Sequence, residues 1–135
     1  MKVRLYRPHS NSNYRPLQSL RCAINGLYLA FKVEANLSIQ FSIGTFFFLF
    51  NLYFSQQILA VANLIFMGAV ISFEMINTVI ENLCDLVQPN YDERVKVIKD
   101  MSAGAVLVMA VLWLLIISFS LLKIGLNHFF NLQIW

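Results

Sequence analysis

Three long apolar segments constrain this chain more than any other feature of its sequence. They run over residues 37–54, 58–80 and 101–122, and each is close to the length of about 20 residues that a helix needs to cross a bilayer. Of the 135 residues, 59% are hydrophobic and 13% are charged, which is too apolar for a soluble domain of this size. The sequence therefore predicts an all-α integral membrane protein with three transmembrane helices.

A fourth, amphipathic helix is predicted before the first span, over residues 17–33. Its apolar residues recur at helical spacing along one face, and its polar residues cluster on another. This pattern is typical of a helix that lies in the membrane interface. We expect residues 1–16 to form a flexible basic arm, residues 17–122 the membrane domain, and residues 123–135 an outward-facing tail.

The charges predict how the chain crosses the membrane. Six of the ten basic residues precede the first span and three lie between the second and third spans. The positive-inside rule then places the amino terminus and the loop 85–100 in the cytoplasm, so a multi-pass topology with a cytoplasmic amino terminus is predicted. This topology brings all seven acids into or near the cytoplasmic half, which predicts a single binding or catalytic zone there. The acids are Glu34, Glu74, Glu81, Asp85, Asp92, Glu93 and Asp100.

Four polar residues at the end of the second span form a stripe along one helix face. At the angular step of a helix, Glu74, Asn77, Glu81 and Asp85 fall within about 80° of one another. An ionisable group in a membrane helix costs free energy unless it has a partner, so such groups mark functional sites. We therefore interpret the stripe as a site.

The residue types in this zone suit chemistry on phosphates. Mg²⁺ typically binds one or two carboxylates together with nucleotide phosphates, and Glu34 and Glu81 are the candidates for that role. Glu74 lies deeper along the helix, where desolvation makes a carboxylate a better general base for a hydroxyl. Asn77 lies between the two acids of the helix and can hydrogen-bond a carboxylate without adding charge.

Lys99 and Asp100 open the third span and extend the predicted site. A lysine there can meet a polyphosphate as a point charge, and an aspartate can orient the nucleotide; both residues are also suited to anchoring a helix in the interface. The small residues 102–105 follow, and we interpret them as a close packing surface between helices.

Several other functions have no support in the sequence. It contains no glycine-rich phosphate loop, no protein-kinase catalytic loop, no cluster of His and Cys for a metal and no Ser-His-Asp set. Nucleic-acid binding is disfavoured because the topology explains the net charge of +3 and the aromatic residues lie in the spans.

The motif Glu74-Met-Ile-Asn77-Thr-Val-Ile-Glu81-Asn-Leu-Cys-Asp85, followed by Lys99-Asp100-Met-Ser-Ala-Gly-Ala-Val-Leu, resembles the small prokaryotic diacylglycerol kinase family. That family includes the undecaprenol kinases. The resemblance implies an interfacial helix and three transmembrane helices in a homotrimer with sites shared between protomers. It also implies transfer of the γ-phosphoryl group of MgATP to the hydroxyl of a lipid such as undecaprenol or diacylglycerol, in the cytoplasmic (inner) membrane of a prokaryote.

The same resemblance implies a role for each site residue. Glu74 becomes the catalytic base, and Glu34 and Glu81 become the ligands of magnesium and nucleotide. Nucleotide binding also falls to Lys99 and Asp100, supported by Asn77 and Asp85.

Two positions depart from the family pattern. The loop 90–92 lacks the histidine often found there, and Gln40 stands where undecaprenol-type members often have histidine. The stretch from Glu34 to Gln40 and the continuation after Asp85 nevertheless look more like the undecaprenol branch.

Two alternatives from other functional classes remain open. One is a subunit of a small oligomeric cation channel or transporter, which would place acids throughout the membrane depth, whereas the outward half of this chain has none. The other is an inactive family member that serves as an assembly partner, which the retention of all core positions disfavours.

Overall fold

The computed structural model of the chain describes residues 16–132, and these residues form four α-helices. Three of the helices are long and apolar enough to cross a membrane, which confirms the predicted all-α membrane fold. The predicted basic arm lies outside the described residues except for Pro16. The helices are α1 (Pro16–Val33), α2 (Ala35–Tyr53), α3 (Gln57–Val87) and α4 (Glu93–Leu132).

Helix α1 forms a unit of its own. It begins at Pro16, a residue whose fixed φ and missing N–H suit the first position of a helix. None of its side chains is buried, and both its apolar and its polar residues are accessible along the helix. Its place in the membrane interface remains a prediction from the amphipathic pattern.

Glu34 separates α1 from α2, and a tight turn separates α2 from α3. The backbone of Glu34 is extended, with φ of −102° and ψ of 107°, which interrupts the helix for a single residue. In the second turn Ser55 adopts a left-handed φ of 57°, and the Gln56 N–H donates to the Asn51 carbonyl at 2.8 Å. This turn caps the carbonyl end of α2 and reverses the chain.

Helices α2, α3 and α4 form an antiparallel bundle with α3 in contact with both of its neighbours. The helices α2 and α3 approach closely at Gly44, where a Cβ atom would lie 2.6 Å from the Met67 Cγ. Large apolar side chains elsewhere face outward, and they include Ile65 and Leu107 at 63% and 64% exposure. Such faces suit lipid or a further protein surface rather than water.

The bundle has two ends, which we name by their contents. The turn end contains residues 54–56, and the acidic end contains Glu74, Asn77, Glu81 and Asp85. About 20 residues of α3 separate Gln57 from Asn77, and at 1.5 Å per residue they span about 30 Å. This distance equals the thickness of a bilayer's hydrocarbon core, so the acidic end and the turn end are spaced as two membrane interfaces.

Buried polar side chains join the helices in the half of the bundle next to the turn end, which we call the turn half. Asn63 donates from Nδ2 to the Gly44 carbonyl at 2.8 Å, and its Oδ1 accepts from the Trp113 indole at 2.9 Å. Nearer the turn end, the Ser120 hydroxyl donates to Asn51 Oδ1. These contacts tie α3 to α2 and α4, and α4 to α2, while each amide is satisfied inside the protein.

Two helices are longer than the apolar spans that predicted them. α3 continues past residue 80 to Val87, and α4 begins at Glu93 and continues to Leu132, so residues 123–132 of the predicted tail are helical. An apolar run predicts only the part of a helix that is suited to lipid. The helix continues through the polar residues beyond that run until a residue that ends it. For α3 that residue is Pro89, and for α4 the start is set by Asp92, whose Oδ1 accepts from the Arg94 N–H at 2.8 Å.

Candidate active site

The stripe on α3 becomes progressively more exposed towards the acidic end of the bundle. Glu74 is buried at 9% exposure, Asn77 and Glu81 are partly buried, and Asp85 is exposed. The helix rises about 16 Å between Glu74 and Asp85. One helix face therefore presents a buried carboxylate at one end and a solvated carboxylate at the other.

The Glu74 carboxylate is held by a side chain from the neighbouring helix. Asn36, in the first turn of α2, donates from Nδ2 to Glu74 Oε1 at 3.0 Å. The other oxygen, Oε2, has no hydrogen-bond partner among the described residues, yet it is not sealed in the interior. Within that part of the chain, the only sealed side-chain oxygen or nitrogen without a partner is Gln40 Oε1. Glu74 thus combines burial with a carboxylate oxygen that has no hydrogen-bond partner among the described residues.

Glu81 is the end of a short hydrogen-bonded chain that begins on α4. The Ser102 hydroxyl donates to Asn77 Oδ1 at 2.6 Å, and Asn77 Nδ2 donates to Glu81 Oε1 at 2.9 Å. Because Ser102 engages the oxygen of the Asn77 amide, the amide nitrogen faces Glu81. The chain therefore orients one oxygen of Glu81 and leaves the other open.

Lys99 and Asp85 close the stripe at its exposed end. The Lys99 ammonium on α4 donates to Asp85 Oδ1 on α3 in a short ion pair, with 32% and 67% of the two side chains exposed. This contact places a cation next to the acids of α3. An ion pair this exposed contributes little to stability, so its oxygens and its ammonium are available to exchange partners.

Glu34 and Asp100 are not joined to this network. Glu34 is partly buried in the break before α2 and makes no side-chain hydrogen bond there. Asp100 is exposed in the second turn of α4. Neither carboxylate forms a hydrogen bond or ion pair with another residue of the described part of the chain. The contacts on the stripe form three separate sets, which are Asn36 with Glu74, Ser102 with Asn77 and Glu81, and Lys99 with Asp85. Glu34 and Asp100 take part in none of them.

A bound magnesium ion is compatible with the available donors. Residues 16–130 contain no group of three His, Cys, Asp or Glu side chains that could enclose a metal ion. Mg²⁺ does not require such a cage, because it commonly takes one or two carboxylates and fills its shell with water and phosphate oxygens. The carboxylate of Glu34 and the second oxygen of Glu81 are oxygen donors of this kind.

Sequence reasoning missed the roles of two neutral residues in this network. The sequence indicates no separate role for Asn36 and predicts close packing for Ser102, yet both donate to side chains of the stripe. A signal existed for Asn36, since a carboxamide in an apolar helix needs a partner. The identity of that partner depends on how α2 and α3 are aligned, which the sequence of one helix does not specify.

Comparison with known proteins agrees with the motif. The sequence model of the family described as prokaryotic diacylglycerol kinase matches residues 21–121, which is 101 of the 135 residues. No curated protein and no solved structure gives a significant match to the chain. The matched region contains α2, α3 and every candidate site residue. The chain therefore belongs to the prokaryotic diacylglycerol kinase family, a family of lipid kinases.

Proposed function

We propose that this protein is an ATP-dependent lipid kinase of the cytoplasmic membrane that phosphorylates the hydroxyl of undecaprenol or diacylglycerol. The observation that carries the proposal is the graded stripe on α3, with the buried Glu74 at one end and the Asp85–Lys99 pair at the other. A lipid alcohol reaches a site from the membrane and a nucleotide reaches it from water. A stripe that runs from buried to exposed can serve both.

Glu74 is the general base of the proposed reaction. Its free Oε2 accepts the proton of the lipid hydroxyl while the hydroxyl oxygen bonds to the γ-phosphorus of ATP. The bond between that phosphorus and the bridging oxygen breaks, and ADP leaves with the electron pair. Because phosphoryl transfer depends mainly on positioning and charge neutralisation, few residues are needed.

Glu34 and Glu81 are the residues that would hold magnesium with the nucleotide. When bound there, Mg²⁺ would neutralise charge on the transferring phosphates. Asn77 keeps one oxygen of Glu81 oriented through its 2.9 Å hydrogen bond, which supports a fixed direction for the second oxygen. The carboxylate of Glu34 has no competing partner in the described part of the chain, so it can bind without breaking a contact.

Lys99, Asp100 and Asp85 complete the nucleotide side of the site. Lys99 is paired with Asp85, and a polyphosphate placed beside the ammonium would compete with that carboxylate for it. Asp100 is exposed next to Lys99 and can accept hydrogen bonds from a sugar or an amine. Binding of the nucleotide would thus transfer Lys99 from Asp85 to the phosphates and release the Asp85 carboxylate at the exposed end of the stripe.

The proposal includes a topology and an assembly. The amino terminus and the acidic end face the cytoplasm, in accord with the positive-inside distribution of Lys and Arg. The chain acts as a homotrimer with sites shared between protomers, as the family resemblance implies. The exposed apolar faces of the three spanning helices support association within the membrane.

The decisive experiment offers both lipids to the purified protein in detergent with radiolabelled ATP and Mg²⁺. We expect label to appear in undecaprenyl phosphate or phosphatidic acid and to disappear when Mg²⁺ is chelated. Glu74→Gln, which keeps the size and the Oε1 acceptor of the side chain, is the matched control. Transfer of label to neither lipid by a folded oligomer would contradict the proposed function, and magnesium-independent ion flux in vesicles would favour a channel instead.

A further inference from the structure

Asn36 is notable because it hydrogen-bonds to the proposed base, although its carboxamide can act neither as an acid or base nor as a nucleophile. Its carboxamide crosses from α2 to α3 and donates to Glu74 Oε1 at 3.0 Å. The residues of the described chain provide no other side-chain partner for that carboxylate, although Glu74 is 91% buried by its exposed fraction of 9%. A buried carboxylate held by a single donor depends on that donor for its orientation.

We propose that Asn36 is a positioning residue that fixes the Glu74 carboxylate so that Oε2 faces the lipid hydroxyl. The inference rests on the proposed function, because it assigns a partner to the base of that reaction. Asn36 touches neither the lipid nor the nucleotide in this arrangement. It acts through Glu74 alone.

The physical need for such a residue follows from the flexibility of glutamate. The last torsion of a Glu side chain has a broad, roughly two-fold preference, so a free carboxylate turns easily. A donor on Oε1 removes this freedom and leaves Oε2 with a defined direction. Reactions that depend on near-attack geometry lose rate when the base is displaced by about 1 Å.

The position of Asn36 also links the base to the proposed metal ligand. Asn36 lies two residues after Glu34, in the first turn of α2. The same short segment thus carries the Glu34 carboxylate and the donor that holds Glu74. A fixed α2 would therefore keep the Glu74 carboxylate and the proposed magnesium ligand Glu34 at a constant position relative to each other.

The test compares carboxamides in the two halves of the bundle. Asn36→Ala removes the donor to Glu74. The matched control is Asn63→Ala, which removes a carboxamide that also bonds between α2 and α3 and lies about 16 Å from Glu74 along α3. We expect Asn36→Ala to lower kcat about 10-fold with an unchanged KM for MgATP, since a hydrogen bond to a charged group is typically worth at least that factor. Asn63→Ala should retain kcat per folded oligomer.

Two further variants separate orientation from packing. Asn36→Gln keeps a donor on a longer side chain and should recover part of the lost kcat. Asn36→Asp keeps the shape but replaces the donor with a second carboxylate, so it should be slower than Asn36→Ala. An unchanged kcat in Asn36→Ala, or a rise in KM for MgATP without a fall in kcat, would overturn the proposal and leave the function of Glu74 intact.

A measurement without turnover keeps the two proposals distinguishable. The infrared carboxylate band that disappears in Glu74→Gln belongs to Glu74, and this band should shift in Asn36→Ala but not in Asn63→Ala. The shift is expected whether or not either lipid is a substrate. A band that stays in place in Asn36→Ala would refute the contact itself, whereas a shifted band in a protein that phosphorylates neither lipid would refute only the proposed reaction.

Discussion

The acidic end and the turn half of the bundle both bring polar side chains into apolar helices, but they use them differently. In the turn half, Asn63 has its amide satisfied on both sides, with Gly44 accepting and Trp113 donating. At the acidic end, Glu74 and Glu81 each have one oxygen held by a neutral carboxamide and one oxygen free. The first arrangement is closed, whereas the second is open to another molecule.

This contrast separates polar groups that stabilise a membrane helix bundle from polar groups that can bind or react with another molecule. A satisfied amide inside the bundle fixes the alignment of helices, because shifting a helix would break the contact. A carboxylate oxygen without a partner adds nothing to the stability of the bundle and is available to bind another molecule. Changes at the two places should therefore affect different measurements.

The largest effect is expected at the buried end of the stripe. Glu74→Gln keeps a carbonyl oxygen for Asn36 but removes the proton acceptor, so we expect kcat for lipid phosphorylation to fall by about 10²- to 10⁴-fold. Oligomer size in detergent should be unchanged, because the buried contact with α2 is preserved. Activity retained at more than about a tenth of the wild-type value would exclude Glu74 as the base.

A smaller loss is expected on the metal side. Even residues that only support a metal ligand are worth about 10- to 100-fold in affinity, so Glu81→Ala and Glu34→Ala should each weaken MgATP binding at least 10-fold. Binding is measured by titrating a fluorescent nucleotide analogue in the presence of Mg²⁺. Glu93→Ala is the control, since it removes an exposed acid at the start of α4 that is outside the stripe.

If both variants bound MgATP as tightly as the control, Glu34 and Glu81 would have packing or interfacial roles. A loss in Glu81→Ala alone would retain the role of the stripe and remove Glu34 from the site. The structure makes this division possible because Glu81 belongs to the hydrogen-bonded network and Glu34 does not.

The sequence predicts the helices and the stripe well because both depend on one segment at a time. Apolar length gives three spans, and helical periodicity places Glu74, Asn77, Glu81 and Asp85 on one face of α3. Helix ends are less predictable, since α4 begins where Asp92 caps it rather than where the apolar run begins. Helix α4 also continues through residues 123–132, which apolar length alone assigns to a tail.

Contacts between helices are the part that the sequence does not predict. The partners of Asn36 and Ser102 depend on the alignment of α2 and α4 against α3, and a rotation or shift of either helix would choose others. The close approach at Gly44 fixes one of these alignments, because a side chain there would meet Met67. Small residues indicate that helices come close, but not which polar groups meet as a result.

In the turn half, the expected effect is on stability rather than on turnover. Trp113→Phe keeps the aromatic ring but removes the donor to Asn63 Oδ1, which is 2.9 Å away. Hydrogen bonds between membrane helices are typically worth about 0.6 kcal/mol and at most about 1.7 kcal/mol. We expect a loss in this range in the free energy of unfolding, measured by titration with a denaturing detergent.

A double-variant cycle isolates this contact from the change in ring size. Trp113→Phe and Asn63→Ala should be less than additive in the free energy of unfolding if the indole and the amide interact. The kcat per folded oligomer should not change in either variant. A tenfold fall in kcat with full stability would show that the turn half takes part in the reaction, which would remove the contrast between the two regions.

The smallest effect is expected at Asp92, an acid of the α3–α4 loop outside the stripe. The Arg94 side chain and its backbone N–H donate to this carboxylate and lower its pKa from 3.8 to about 2. Because the pKa is lower in the folded protein, the stabilisation is fully present above about pH 4 and is lost as the pH falls towards 2. The ¹³C chemical shift of labelled aspartate carboxyls should report this titration in wild type, and Arg94→Gln should move the pKa back towards 3.8.

Asp92→Asn sharpens the comparison, because asparagine is as good a helix cap as aspartate but carries no charge. This variant should start α4 at the same residue, lose the dependence of stability on pH between about 4 and 2, and phosphorylate lipid at the wild-type rate at neutral pH. A reduced rate with normal stability would extend the active site into the loop 88–92. An unchanged rate would mean that Asp92 takes no part in the reaction and only caps the start of α4. The catalytic and binding acids would then be confined to those near the stripe that have an oxygen without a partner.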